Sequence, residues 1–133
     1  MNKKPYILLV DDEPDILEIH EEIMHEAGFE NVLTASNGQE ALALIKENPP
    51  AMVITDMHMP KMNGAELLHE IRSQFGALLV VIVSAGGPLV ENRQDVLKDS
   101  KTGANCCLTK PIDASTFRKT ITNLLQTLPE RSK

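Results

Sequence analysis

Reactive side chains stand directly after short apolar runs at four places in this chain. Asp11 and Asp12 follow Tyr6 to Val10, Asp56 follows Met52 to Thr55, Ser84 follows Leu78 to Val83, and Lys110 follows Cys106 to Thr109. If these runs are strands of one parallel sheet, their carboxyl ends share an edge, and open sheets of this kind bind ligands beyond that edge. Three carboxylates, a hydroxyl and an ammonium would converge there. Clustered carboxylates repel one another unless a cation compensates. All-oxygen ligands, with no Cys or His pair at metal spacing, favour Mg²⁺ with retained waters over zinc. Lys110 would then face a second, transient anion. Taken singly, each piece is ordinary: Asp11-Asp12 as an exit turn and helix N-cap, Asp56 as a turn carboxylate, Ser84 as a satisfied hydroxyl, Lys110 as a solvated side chain. Chance placement of all of them at separate strand ends is much less probable than any one alone.

The elements that must position these residues are read from the apolar period, which switches between unbroken short runs and helical spacing. Tyr6 to Val10 predicts a strand buried on both faces. The helix after it has Pro14 in its first turn, a stripe of Ile16, Ile19, Ile23, Met24 and Ala27, and Gly28 as its stop. Val32 to Ala35 predicts a second strand. Asn37 to Glu40 has capping-box spacing ahead of a helix carrying Ala41, Leu42 and Ile45, which Asn48-Pro49-Pro50 ends. Met52 to Thr55 is the third strand. After a Met59-Pro60 turn, a helix from about Gly64 presents Leu67, Leu68, Ile71 and Phe75. Leu78 to Val83 is the fourth strand. A long polar segment from Gly86-Gly87-Pro88 to Gly103 follows, with a short helix expected around Asp95 to Ser100. Cys106 to Thr109 is the fifth strand. The last helix takes Asp113 as N-cap and sets Phe117, Ile121, Leu124, Leu125 and Leu128 on one face before Pro129. Strands separated by helical connections imply right-handed crossovers and a parallel sheet covered on both faces, an α/β architecture.

Composition narrows the function classes. A chain of 133 residues, 42% hydrophobic and 24% charged, fits one globular domain with a core that needs no disulfide or structural metal. A formal charge of −6 has the wrong sign for direct nucleic-acid or anionic-lipid binding. The longest apolar run, Ala77 to Val83, is far short of the roughly 20 residues of a membrane span, and Ile7 to Val10 is too short for a signal-peptide core. Cys106 and Cys107 are adjacent, so on a strand they point to opposite faces and form no ordinary disulfide. A cytoplasmic, reducing location is expected.

The chain resembles the receiver domain of two-component response regulators. The residues that carry the resemblance are Leu9-Val10-Asp11-Asp12-Glu13, Asp56-Met57-His58-Met59-Pro60, Asn63-Gly64, Ser84-Ala85 and Lys110-Pro111, in the family's order and nearly its separations. The resemblance implies a flavodoxin-like (βα)5 sandwich with a five-stranded parallel sheet of order 2-1-3-4-5, the arrangement of the family's stand-alone chemotaxis regulators. It makes Asp56 the nucleophile that accepts a phosphoryl group from a sensor histidine kinase, a histidine phosphotransferase or a small phosphodonor. Asp12 and Asp56 would bind Mg²⁺ directly, Asp11 through water, and the His58 backbone carbonyl would add an oxygen. Lys110 would clamp charge on the phosphoryl group. Ser84 and the Ala85 amide would hydrogen-bond its oxygens, and Pro111 would follow a cis peptide. Phosphoryl transfer asks a protein mainly for alignment and charge neutralisation, which this set supplies. The phosphorylated form would favour an arrangement read by a downstream protein target, and slow hydrolysis would reset it. Such a chain catalyses its own phosphorylation and dephosphorylation without being an enzyme toward outside substrates.

Several positions depart from the family pattern. Cys107 stands three residues before Lys110, where many receivers carry an aromatic switch residue. Asn63 stands where the family often has Asp, a mild change on the outside of the turn. The segment from Ser84 to Lys110 is slightly long, with Gly86-Gly87 as a hinge. His58 sits where side chains tend to influence access of attacking water. His20, His25 and His69 fall on helices, with His20 near the solvent side, and the six methionines are packing residues.

Two other function classes compete with the switch. A pseudo-receiver would keep the fold and signal by binding alone, against which the intact Asp11, Asp12, Asp56, Ser84 and Lys110 argue. A phosphohydrolase with an aspartyl-phosphate intermediate would need an acid/base carboxylate just after the nucleophile, where this chain has His58, and a capping insertion. The expected domain is 1–133, with a core of about 5–128 and a short tail of 129–133 that leaves no output domain. A stand-alone regulator, a relay intermediate and a receiver fragment of a larger hybrid kinase or regulator all remain open, as does dimerisation on phosphorylation.

Overall fold

The computed structural model describes residues 6–59, 62–76, 78–85, 104–110 and 113–126, with Ala85 and Lys110 described by their backbone. The order is β1 (Ile7–Val10), α1 (Pro14–Glu26), β2 (Val32–Ala35), α2 (Gly38–Glu47), β3 (Met52–Asp56), α3 (Gly64–Phe75), β4 (Leu79–Ala85), β5 (Cys106–Lys110) and α4 (Ala114–Leu125). The short helix expected near Asp95 to Ser100, the hinge expected at Gly86-Gly87, Pro60, the cis peptide expected before Pro111, Leu128 and the tail from Pro129 lie outside the described residues. No helix among the described residues is long and apolar enough to cross a membrane.

All pairings are parallel, and the strand order is β2-β1-β3-β4-β5. Alternation along the central strands divides the core into two layers. Leu8, Val10, Val53, Val80 and Ile82 face α2 and α3, whereas Ile7, Leu9, Ile54, Val81 and Val83 pack with Met24 of α1 and with Phe117 and Ile121 of α4. Each such side chain removed from water contributes about 1.5–3 kcal/mol, so the sheet is held from both faces. Cys106 packs into the second layer and Cys107 into the first, the opposite-face placement expected of neighbours on a strand, and neither is in a disulfide.

Local sequence explains the helix ends. Pro14 occupies the first helical position of α1, where no amide donor is needed. At its other end Gly28 takes φ of 99°, letting its own N–H reach the His25 carbonyl and that of Phe29 reach the Met24 carbonyl. Asp113 caps α4 by accepting from the Thr116 N–H.

Two expectations need correction. The buried stripe of α1 is partly rotated from the one read in the sequence: Ile23 and Met24 pack into the core as expected, but Ile19 is 51% exposed and Leu17 packs inward instead. With that rotation His20 leaves the solvent side and is half-buried, its ring 4.8 Å edge-on from Phe117 at an interplanar angle of 65°. An apolar count along one helix does not register that α1 must also meet α4. The second correction is at α2, where Asn37 accepts from the Glu40 N–H but the Glu40 carboxylate turns to Ser36, accepting from its N–H and its hydroxyl, both at 2.8 Å. Those bonds hold the Glu40 carboxyl below the ordinary glutamate range. The reciprocal box appears instead at α3, where Asn63 Oδ1 accepts from the Glu66 N–H and Glu66 Oε1 accepts from the Asn63 N–H. Asn63 is therefore a helix cap rather than only a mild change on the outside of a turn.

Candidate functional site

Neighbouring strands bring the separated carboxylates together. Val10 of β1 stands in register with Thr55 of β3, so Asp11 and Asp56 emerge side by side one residue later. One carboxylate oxygen from each of Asp11, Asp12 and Asp56 lies within 4.8 Å of the others. Asp11 is 3% and Asp56 8% exposed, while Asp12 faces solvent. Asp11 also closes the exit turn, its Oδ1 accepting from the Glu13 N–H at 3.0 Å, and Glu13 rather than either aspartate is the N-cap residue of α1.

Three ionised carboxylates at this spacing repel by about 3 kcal/mol per pair at an effective dielectric near 20. The structure holds two of them away from water, which removes the cheapest means of screening. The donors are all oxygens, and the exposed Asp12 leaves one side open to solvent. This set fits a hard divalent cation of the Mg²⁺ type, which prefers a few carboxylates and retained waters to a closed protein cage.

The sheet edge continues toward β4 and β5. Asp56 pairs with Val83, and the Met57 N–H extends that ladder to the Val83 carbonyl at 2.8 Å. Ser84, 5% exposed, is the next residue on β4 and pairs with Thr109, and Ala85 pairs with Lys110. The backbone of Lys110 is thus two strands across from Asp56 and two residues further along, about 12 Å by ordinary strand spacing and rise. Cys107 pairs with Ile82 and packs with the layer beneath α2 and α3. His58, two residues beyond Asp56, is exposed, while Met57 and Met59 on either side pack inward.

Several residues around the carboxylates have roles that the sequence reading did not assign. Gly64 opens α3 against the backbone of the nucleophile candidate: a Cβ there would lie 2.5 Å from the Asp56 carbonyl oxygen and 2.9 Å from Met57 Cα. The Gly64 N–H donates to the Met57 carbonyl at 2.8 Å. Gly38 has a similar role at α2, where a Cβ would lie 2.7 Å from the Met62 carbonyl oxygen. Thr55 is a fully buried hydroxyl immediately before Asp56. Besides the Asn63-Gly64 pair already noted, the Asn63-to-Glu66 spacing signals this region through its capping pattern; close backbone approach leaves no local mark beyond the presence of glycine.

Known proteins resemble this chain in sequence and fold. The family model for the response regulator receiver domain matches residues 7–122. The chemotaxis protein CheY-3 of Vibrio cholerae is 29% identical over 130 residues, covering 96% of this chain and 97% of that protein. Response regulator Rre1 of Synechocystis is 33% identical over 121 residues, covering 90% of this chain but 51% of its own length. The crystal structure of a response regulator receiver domain protein from Clostridium thermocellum superposes with a TM-score of 0.82 at 34% identity, covering 92% of this chain and 95% of that one.

Proposed function

Because the chain belongs to the response regulator receiver family, we propose that it is a phosphorylation-activated switch whose acceptor is Asp56. The observation that carries this reading is the convergence of Asp11, Asp12 and Asp56 oxygens within 4.8 Å at a strand edge that also carries Ser84. A carboxylate oxygen of Asp56 attacks phosphorus, the bond from phosphorus to the donor nitrogen breaks, and the imidazole of a sensor histidine kinase or histidine phosphotransferase leaves. The burial of Asp56 limits competing water at the reacting oxygen. Asp11, Asp12, Asp56 and the His58 carbonyl would hold Mg²⁺. When bound, that ion neutralises charge on the phosphoryl oxygens and on the carboxylates. Lys110 supplies the second positive charge, and the Ser84 hydroxyl and Ala85 amide donate to the phosphoryl oxygens.

The phosphorylated form favours an arrangement of the later strands that a downstream protein target reads, and hydrolysis of the aspartyl phosphate resets it. Cys107, packed in the row of Ile82, takes the place of the usual aromatic in that rearrangement. In this reading the chain is one receiver domain working in the cytoplasm, with self-association on phosphorylation as one form of output.

Intact mass after incubation with Mg²⁺ and acetyl phosphate or phosphoramidate tests the proposal. A single hydroxylamine-labile phosphoryl addition, abolished by Asp56→Ala and by chelation, is the expected result. Absence of label on folded protein, together with failure to form a beryllofluoride complex, would replace the switch with a phosphorylation-independent binding module. Turnover of small phosphomonoesters would instead revive the phosphohydrolase.

A further inference from the structure

Thr55 is a polar residue in an apolar row. Its register partners are Val10 on β1 and Ile82 on β4, both in the core layer under α2 and α3, and Thr55 itself is 0% exposed. A valine has the same β-branched shape and would bury no hydroxyl, so the hydroxyl must find partners or cost stability. It donates to the carbonyl oxygen of the next residue, Asp56, at 3.0 Å, and its oxygen lies 4.0 Å from the Met59 sulfur. These two contacts bracket the segment 56–59. One lies at the peptide that follows the phosphoacceptor, the other at the residue after His58.

The Asp56 carbonyl is also approached from α3, whose first residue, Gly64, leaves no room for a Cβ beside it. The carbonyl is thus confined by the Thr55 hydroxyl and by the α3 terminus. Within this segment Met57 and Met59 pack inward and His58 turns outward. Rotation of the 56–57 peptide would move both the Asp56 side chain and the His58 carbonyl, two of the groups assigned to the metal.

We propose that Thr55 is a positioning residue: its buried hydroxyl holds the 56–59 segment so that Asp56 and the His58 carbonyl stand ready for the divalent cation. The inference rests on the switch reading above, and it assigns part of the metal affinity to a residue that does not touch the metal.

The test is titration of Mg²⁺ alone into chelator-stripped full chain, followed by calorimetry or by amide NMR shifts, for wild type, Thr55→Val and Thr55→Ser. Melting curves without metal are recorded in parallel. Losing one buried hydrogen bond in the metal-ready arrangement raises the Mg²⁺ dissociation constant of Thr55→Val roughly three- to tenfold, and Thr55→Ser, which keeps the hydroxyl, returns to within about twofold of wild type. A purely structural role would move the melting curve and leave the dissociation constant alone. Equal affinity in wild type and Thr55→Val overturns the proposal, as does equal weakening in the Val and Ser variants, which would assign the effect to packing. Should Thr55→Val fail to fold, Thr55→Ala set against Thr55→Ser carries the same contrast. Failure of wild type itself to bind Mg²⁺ would overturn the metal site first and this inference with it, so the two failures are distinguishable.

Discussion

Gly64→Ala isolates how closely α3 must approach the phosphoacceptor. The added Cβ would sit 2.5 Å from the Asp56 carbonyl oxygen, and both near atoms belong to backbone, so no side chain can swing away. Ordinary contact begins at 3.4 Å, so the α3 terminus must retreat by about 0.9 Å. That retreat stretches the 2.8 Å bond from the Gly64 N–H to the Met57 carbonyl beyond hydrogen-bonding distance. Overpacking of this kind costs about 1–3 kcal/mol, and alanine's better helix propensity returns up to about 1 kcal/mol. A net loss of about 1–2 kcal/mol lowers the melting temperature by roughly 4–8 °C in a domain of this size. The functional effect is larger in proportion. A displacement near 1 Å beside a reacting group slows the labelling of Asp56 by acetyl phosphate roughly ten- to hundredfold.

Gly28→Ala provides the matched control. Its φ of 99° costs an alanine about 1–2 kcal/mol, yet nothing lies within 4 Å of the new Cβ and the position is remote from Asp56. Circular dichroism melts and intact-mass labelling time courses are read on both variants. The reasoning predicts similar melting losses and slow labelling in Gly64→Ala alone. It is refuted if Gly64→Ala melts and labels like wild type, or if both variants slow labelling equally.

Three further outcomes follow from contacts elsewhere in the fold. Arg72 donates to the carbonyls of Gly76 and Leu78 at 2.7 and 2.6 Å and to Asn105 Oδ1 at 2.9 Å, tying α3 to the approaches of β4 and β5; Arg72→Met costs about 2–3 kcal/mol in urea denaturation, and labelling of Asp56 at the opposite sheet edge persists. Glu40 is more acidic folded than unfolded because Ser36 donates to it twice, so its contribution to stability is whole above the ordinary glutamate range and lost as pH falls through the lowered value; Glu40→Gln flattens the acid limb of the stability profile, and an unaltered limb would refute the assignment. His58 is exposed two residues from Asp56, where a side chain can influence access of attacking water; His58→Ala is expected to change the lifetime of the phosphoryl label, and an unchanged decay rate removes His58 from the hydrolysis step.

Interactions that stay within a few residues were legible in the sequence. Unbroken apolar runs marked the strands to within a residue or two, and the side chains closing them placed Asp11, Asp12, Asp56 and Ser84 on one edge, because parallel strands leave their carboxyl ends on the same side of the sheet. Pro14 and the Asp113 cap were equally plain, each being a contact across three residues or fewer. Tertiary structure decided whatever depended on how whole elements meet. A helix turns 100° per residue, so a small rotation exposed Ile19, moved His20 onto Phe117, and was settled by α4, a segment about 100 residues away in the chain. The fork of Arg72 onto Asn105 and the intrusion of Gly64 on the Asp56 carbonyl likewise depend on ångström-scale placement of separate segments. Residue type and spacing named the carboxylates. Their distances, and the buried Thr55 hydroxyl behind them, came from the packing of the sheet against its helices.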